Sequence, residues 1–429
     1  MTLLPSRPVR LSGSKCVSAG KVIVSHPTGN ANVSAVVSAL YEEELLAAYY
    51  TSVLWRPEHP LARLLPSRIR AVFERRARFQ LPSSFVRLRP FRELMRQAIA
   101  RTGHNYLTRE EGSPFSIDAI YRVVDRAVQQ DIPKLKDLRA LYAYEYVALN
   151  QFRKAHQFGV HCIYDLPIGY WRANRAISNE EAELQPAWKG TLSFLGDSEA
   201  KCVIKDRELE LADTVIVPST FVKNTLDMYP GTKKKIVINP FGTPENTASP
   251  RGLTNRDNPL RVLYVGSLSQ RKGISYLFEA IEKAGKAVTL TVIGGKVGQS
   301  KQLDKYCAKH RWIPTLPHSG ILAEMRNHDV FVFPSLFEGM ALVQGEAISQ
   351  GLPVITTPNS GGTDILRDGI DGFIVPIRDP EAITARLIEL YHDRELLQQM
   401  SNSALEQAAQ SNWQSYKGRV IDVVRKAID

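Results

Sequence analysis

The stretch Val330–Pro376 constrains the fold of this chain more than any other. Val330 to Phe333 is a short apolar run stopped by Pro334, the pattern of a buried parallel strand. Ser335 to Gly339 reads as a loop, and Ala341 to Ser349 as a helix closed by Gly351 and Pro353. Pro353 to Thr357 is a second apolar strand. Strand, tight loop, helix and strand make one unit of a doubly wound α/β sheet, which binds ligands at the carboxyl ends of its strands. Glu338 stands just before the helix, where the N–H groups of Met340, Ala341 and Leu342 are expected to converge on a site for phosphate oxygens. Glu346 lies five residues past Ala341, about 7.5 Å further along the axis. Carboxylates at these two depths, with an anion site between, suit a sugar, a diphosphate and a ribose laid end to end. Taken alone, two glutamates at this spacing are usually solvated surface groups.

The wider pattern changes that weighting. Phe333-Pro-Ser-x-x-Glu338-Gly, six more residues, Glu346-Ala, then Gly351-Leu-Pro-Val-Ile and Gly361-Gly resembles the signature of the family-four retaining glycosyltransferases. The resemblance implies the GT-B fold, two Rossmann-like doubly wound domains facing a cleft, with a C-terminal helix crossing back to the first. It also implies transfer of a sugar from a nucleotide-diphosphate donor, a UDP- or GDP-sugar, to an acceptor hydroxyl with retention at the anomeric carbon. Glu346 would then hold the ribose. Glu338 would bind the sugar and stabilise positive charge at its ring carbon, with Gly339, Met340, Ala341 and Leu342 completing the donor site.

The remainder of the chain divides accordingly. Residues 1–20 read as a loose basic arm, 21–243 as a Rossmann-like acceptor domain and 244–259 as a Pro/Asn/Thr/Ser-rich linker. Residues 260–409 read as the nucleotide-sugar domain, and 410–429 as a final helix packing on the first domain. Lys21–Ser25 is a strand, followed by a small-residue loop and a helical run from Val33 to Tyr50. In the family such a first loop faces the cleft, which makes Gly29 and Asn30 candidates. Leu138–Tyr146 leads into a helix, and Val160–Pro167 is another strand. Near Tyr144 and Glu145 the family carries a His-Glu pair whose His contacts the transferred sugar; here Tyr144 replaces that His. The arrangement Glu208-x-x-x-Ala-Asp213-x-Val-Ile-Val-Pro-Ser219 also resembles the family, in a structural role, with Ser219 capping the next helix. Glu381 to Ala409 reads as helix.

The second domain opens with the strand Leu260–Gly266 and the loop Ser267–Gly273. Two cations there, Arg271 and Lys272, stand before a helix, an arrangement that holds a departing diphosphate. Lys272 falls on the family's Lys-Gly position, whereas Ser267, after Gly266, stands where the family has an Arg; Arg271 would supply that charge. No Asp-x-Asp occurs, so neither a bridging metal nor another cofactor is expected.

Charge is concentrated. Arg56–Arg101 holds twelve Arg and three Glu, a net of 12 − 3 = +9, nearly the whole chain's +11. Leu64, Phe73, Phe79, Phe85 and Phe91 are among the apolar residues interleaved with it. The mix fits either a solvated helical face or an arginine-rich surface on anionic lipid headgroups. No run reaches membrane-spanning length, and Cys16, Cys162, Cys202 and Cys307 show no disulfide or metal spacing. A cytoplasmic protein is expected, peripheral to a membrane if the arginine-rich segment engages one. The acceptor would be a glycan, a lipid-linked or a small molecule. No nucleic-acid module accompanies the charge. The competing readings are an epimerase on the same fold and a non-enzymatic basic membrane- or nucleic-acid-binding protein.

Overall fold

The computed structural model describes residues 20–54, 81–100, 102, 104–108, 111–192, 197–245 and 258–429. Residues 1–19 of the expected arm, 55–80 of the arginine-rich segment and 246–257 of the linker lie outside these. Two parallel sheets carry the molecule, and each follows from apolar runs that only a doubly covered strand can bury. The first contains β1 (Lys21–Ser25), β2 (Leu46–Thr51), β3 (Val86–Leu88), β4 (Leu138–Tyr144), β5 (His161–Asp165), β6 (Thr214–Val217) and β7 (Lys235–Ile238), in the order β3-β2-β1-β4-β5-β6-β7. The second contains β8 (Leu260–Val265), β9 (Val288–Ile293), β10 (Arg311–Ile313), β11 (Val330–Phe333), β12 (Val354–Thr356) and β13 (Gly372–Ile374), in the order β10-β9-β8-β11-β12-β13. In both, the order reverses beside the first strand of the sheet, the switch point at which such sheets open a crevice.

Several local readings need correction. The helix expected over Val33–Tyr50 is the helix Ala31–Glu42, and Leu46–Thr51 is strand β2. Glu44 takes a left-handed conformation (φ +57°) that stops the helix, and Tyr49 and Tyr50 then bury their rings in the sheet. The single helix expected from Glu381 is two, Pro380–His392 and Arg394–Gln410, parted at Asp393. The Asp393 carboxylate caps the second by accepting from the Leu396 N–H (2.8 Å).

The last helix, Trp413–Ile428, lies against the helix Ala31–Glu42 of the first sheet's layer. Lys417 pairs with Glu42 (2.7 Å) and Arg425 with Glu43 (2.5 Å), while Arg419 donates to Asn239 and to the Pro240 carbonyl (both 2.7 Å). Further links run directly between the two halves. Glu181, fully buried, accepts from Gln270 Nε2 (2.7 Å), Tyr276 Oη (2.9 Å) and Arg378 Nε (2.7 Å).

Candidate active site

The site forms where loops after β8 and β11 meet. Gln270–Lys272 is a single tight turn that ends at Gly273, whose φ of +67° only glycine adopts freely. A Cβ there would also overlap the Pro334 carbonyl oxygen, so this position joins the two loops. The Arg271 carbonyl accepts from the Leu336 N–H (2.9 Å), and Arg271 Nη1 donates back to the Phe337 carbonyl (2.7 Å). Arg271 Nη1 reaches Glu338 Oε1 at 2.7 Å, and Lys272 Nζ contacts the same oxygen. Lys272 Nζ also sits 5.0 Å from the centre of the Phe333 ring.

All three charged side chains are mostly buried, each with 12 % of its surface exposed. Burial, then the neighbouring Arg271 guanidinium, push the Lys272 ammonium well below its ordinary pKa. Burial lowers Arg271 to about 10. Both desolvated cations thus meet at one carboxylate oxygen.

Beyond Glu338 the chain differs from expectation in one respect. The helix begins at Leu342, and the Ala341 N–H is spent on the Ser360 carbonyl (3.2 Å), so three N–H groups do not converge. Met340 is buried and takes the Phe241 N–H on its sulfur (3.1 Å). Glu346 lies four residues past Leu342, about 6 Å along the helix. Its Oε1 is 3.0 Å from Nε2 of the largely exposed His318, a partner that the sequence separates by 28 residues. Of the residues before the turn, Gly266 is half-buried and Ser267 exposed, with the Ser267 carbonyl accepting from Tyr264 Oη (2.9 Å).

The first domain presses against this loop. Gly339 has no room for a side chain, because a Cβ would overlap the Pro167 carbonyl oxygen beyond β5. Ser219 caps the helix Thr220–Thr225 as expected and also donates to the Gly339 carbonyl (2.6 Å). The Asp364 carboxylate accepts from Thr220 N (3.0 Å) and Thr220 Oγ1 (2.7 Å). Gln270 N donates to Thr191 Oγ1 (2.9 Å). Both loops of the site are thus held by first-domain residues, which no local pattern announces.

The first-domain candidates are drawn into structure of their own. Gly29 (φ +64°) and Asn30 shape the turn after β1, where Asn30 caps the helix by accepting from Val33 N (2.9 Å). His26 Nδ1 accepts from Gly29 N (2.9 Å) and Thr28 N (3.2 Å), and burial lowers this imidazole to about 4. Tyr144 is buried, its ring centre 4.8 Å from that of His26, and its hydroxyl has no hydrogen-bond partner among the described residues. Glu145 pairs with Lys205 (3.3 Å), itself held by Asp197 (2.9 Å). His161 bonds Thr214 Oγ1 (3.0 Å), a satisfied strand residue. Glu208 explains its place in the pattern: it is fully buried and accepts from the N–H groups of Tyr146 (2.6 Å), Ala148 (2.7 Å) and Leu149 (3.1 Å).

Comparison with known proteins follows the same division. Residues 245–407 match the family described as Glycosyl transferases group 1. A sucrose synthase of Melioribacter roseus is 27% identical over 237 residues, covering 46% of this chain and 29% of its own length. A putative colanic acid biosynthesis glycosyltransferase of Salmonella typhimurium is 26% identical, covering 41% of this chain and 47% of its own. The chain thus spans under a third of the first curated relatives it matches, 29% and 27%. Among solved structures, a sucrose-phosphate synthase from Thermosynechococcus elongatus superposes with a TM-score of 0.64 at 17% identity, covering 95% of this chain and 98% of that one. HepE of Anabaena, solved with UDP and glucose, superposes with a TM-score of 0.59 at 14% identity, covering 95% and 100%. The chain has the GT-B fold, and its residues 245–407 match the family described as Glycosyl transferases group 1.

Proposed function

We propose that this chain is a retaining glycosyltransferase, moving a sugar from a nucleotide diphosphate to an acceptor hydroxyl. The observation that carries the reading is the shared hold of Arg271 and Lys272 on Glu338 at the carboxyl ends of β8 and β11. The family match over 245–407 and the UDP-bound GT-B neighbour support it. The donor diphosphate takes over the two cations and releases Glu338 toward the sugar, since one carboxylate oxygen cannot serve both. When the bond from the anomeric carbon to the diphosphate breaks, Lys272 and Arg271 hold the negative charge that appears. Glu338 stabilises the positive charge on the ring carbon, and Glu346 holds the ribose. Two fixed cations and the lack of an Asp-x-Asp pair make the transfer metal-independent. The acceptor is a glycan or lipid-linked sugar of envelope polysaccharide or glycolipid synthesis, met at the cytoplasmic face of a membrane through Arg56–Arg101.

Titration with a panel of UDP- and GDP-sugars, followed by NMR of the product, tests this. Binding of one donor between about 1 μM and 1 mM, with retained anomeric configuration, is the expected result. Failure of every nucleotide sugar to bind, or an epimerised sugar with no transfer, overturns it.

A further inference from the structure

A pocket of about 260 Å³ opens on the first domain, away from Glu338, between the helices Phe91–Ile99 and Ile117–Asp131. Arg92, Arg122 and Arg126 line it, together with Ser113 and Pro114. Arg122 and Arg126 are exposed and stand one turn apart on the same helix. Among the described residues none of the three arginines forms an ion pair. Among the described residues the nearby acids make their hydrogen bonds and ion pairs with other groups: Glu93, fully buried, holds Arg96 (2.9 Å), Asp118 faces Lys201 (3.8 Å), Glu111 accepts from Ser198 N (3.2 Å) and Asp125 from Gln151 N (2.8 Å), although Asp118 and Asp125 still feel the charges of Arg122 and Arg126. Three like charges at one pocket favour an anion with several oxygens.

The rim is apolar where a soluble protein has little use for it. Eleven large apolar side chains are exposed on the described residues, and five of them fall between 88 and 117: Leu88, Phe91, Leu94, Tyr106 and Ile117. Phe91 is 68 % exposed and Tyr106 61 %. Three of them, Phe91, Tyr106 and Ile117, adjoin residues that line the pocket. Phe91 adjoins Arg92, Ile117 opens the helix that carries Arg122, and Ser113 ties the Tyr106 backbone beside it (2.7 Å). Singly exposed apolar residues are ordinary, but a cluster marks an interaction surface. A free phosphate would need the arginines and not the rim.

We infer that this face docks on an anionic bilayer, the pocket taking a lipid phosphate while Phe91, Tyr106 and Ile117 enter the headgroup boundary. Arginine over phosphate with aromatic and branched side chains beside it matches both layers of such an interface. The inference extends the reading of Arg56–Arg101 to residues beyond that segment, and it is independent of sugar transfer, which a donor assay reads separately.

The test is co-sedimentation of the full chain with vesicles of phosphatidylcholine alone and of phosphatidylcholine mixed with phosphatidylglycerol, over a salt series. Binding to the mixed vesicles that weakens with salt is expected. Arg122→Gln with Arg126→Gln should lower it about 30-fold, from the usual contribution of two basic groups near an anionic surface. Phe91→Ser with Ile117→Ser should lower it about tenfold. All four residues are at the surface, and an unchanged circular dichroism melt confirms folding. Equal binding to both vesicle types, no binding, or binding untouched by either pair overturns the inference. Loss with the arginine pair alone makes the pocket a site for soluble phosphate and overturns it as well.

Discussion

The two sides of the cleft are built on the same plan and treat charge differently. On the second domain, Arg271 and Lys272 converge on Glu338, and burial works against both cations. On the first, Lys201 and Lys205 are surrounded by Asp118, Asp197 and Glu145, and the buried Glu208 is answered by backbone N–H groups. One side gathers its buried charges at a single point. The other has its charges satisfied internally and offers shape. On the proposed function, that contrast would give charge stabilisation to the second domain and positioning to the first.

Lys272→Ala cuts most sharply at the contrast. Loss of one preorganised charge at a developing anion is worth roughly 3–4 kcal/mol, so the rate should fall by two to three decades. Arg271→Ala, whose guanidinium also braces the Phe337 carbonyl, should cost less in rate and more in stability. Initial rates in excess chelator check both, and a Lys272→Ala variant as fast as the parent would remove the charge argument.

Next in size is the pair of glutamates. Glu338→Ala should lower kcat by about 100-fold with nucleotide affinity little changed, because its work is done in the transition state. Glu346→Ala should instead weaken nucleotide diphosphate binding in calorimetry, and His318→Ala should follow it more mildly. If both carboxylates moved rate and affinity together, the division along the helix would be wrong.

The first domain answers to acid instead. His26 stays neutral in the fold, with its pKa lowered from 6.5 to about 4, and Nδ1 must be free to accept two N–H groups. Its unfolded form takes up a proton first as pH falls, so the native state loses stability between about 6.5 and 4. From pH 7.5 to pH 5 the loss should be about 2 kcal/mol, as an upper figure for complete burial. Urea melts of the parent and of His26→Asn, compared at the two pH values, read it. An equal slope in both proteins would trace the acid sensitivity elsewhere.

Legibility divided along the same line. Strand, loop and helix around Glu338 were readable because apolar runs, Pro334 and Gly351 punctuate them locally, and the cation turn because Arg271 and Lys272 are adjacent. His318 beside Glu346, Thr191 under Gln270 and Asp364 on Thr220 join residues dozens of positions apart, and only the fold brings them together. The burial of Tyr144 is hidden from its local sequence in the same way, because it follows from β1 on one side of β4 and β5 on the other. The break at Asp393 rests on one capping carboxylate, which helical composition on both sides conceals.

Glu181 carries a consequence for cooperativity. Its carboxylate belongs to the first domain yet is buried against Gln270, Tyr276 and Arg378 of the second. Parting the halves would break three hydrogen bonds to one buried carboxylate, each worth about 1.5–3 kcal/mol net. Neither domain can melt alone without meeting that cost. The chain should unfold calorimetrically in a single endotherm despite having two cores, and Glu181→Leu should resolve it into two.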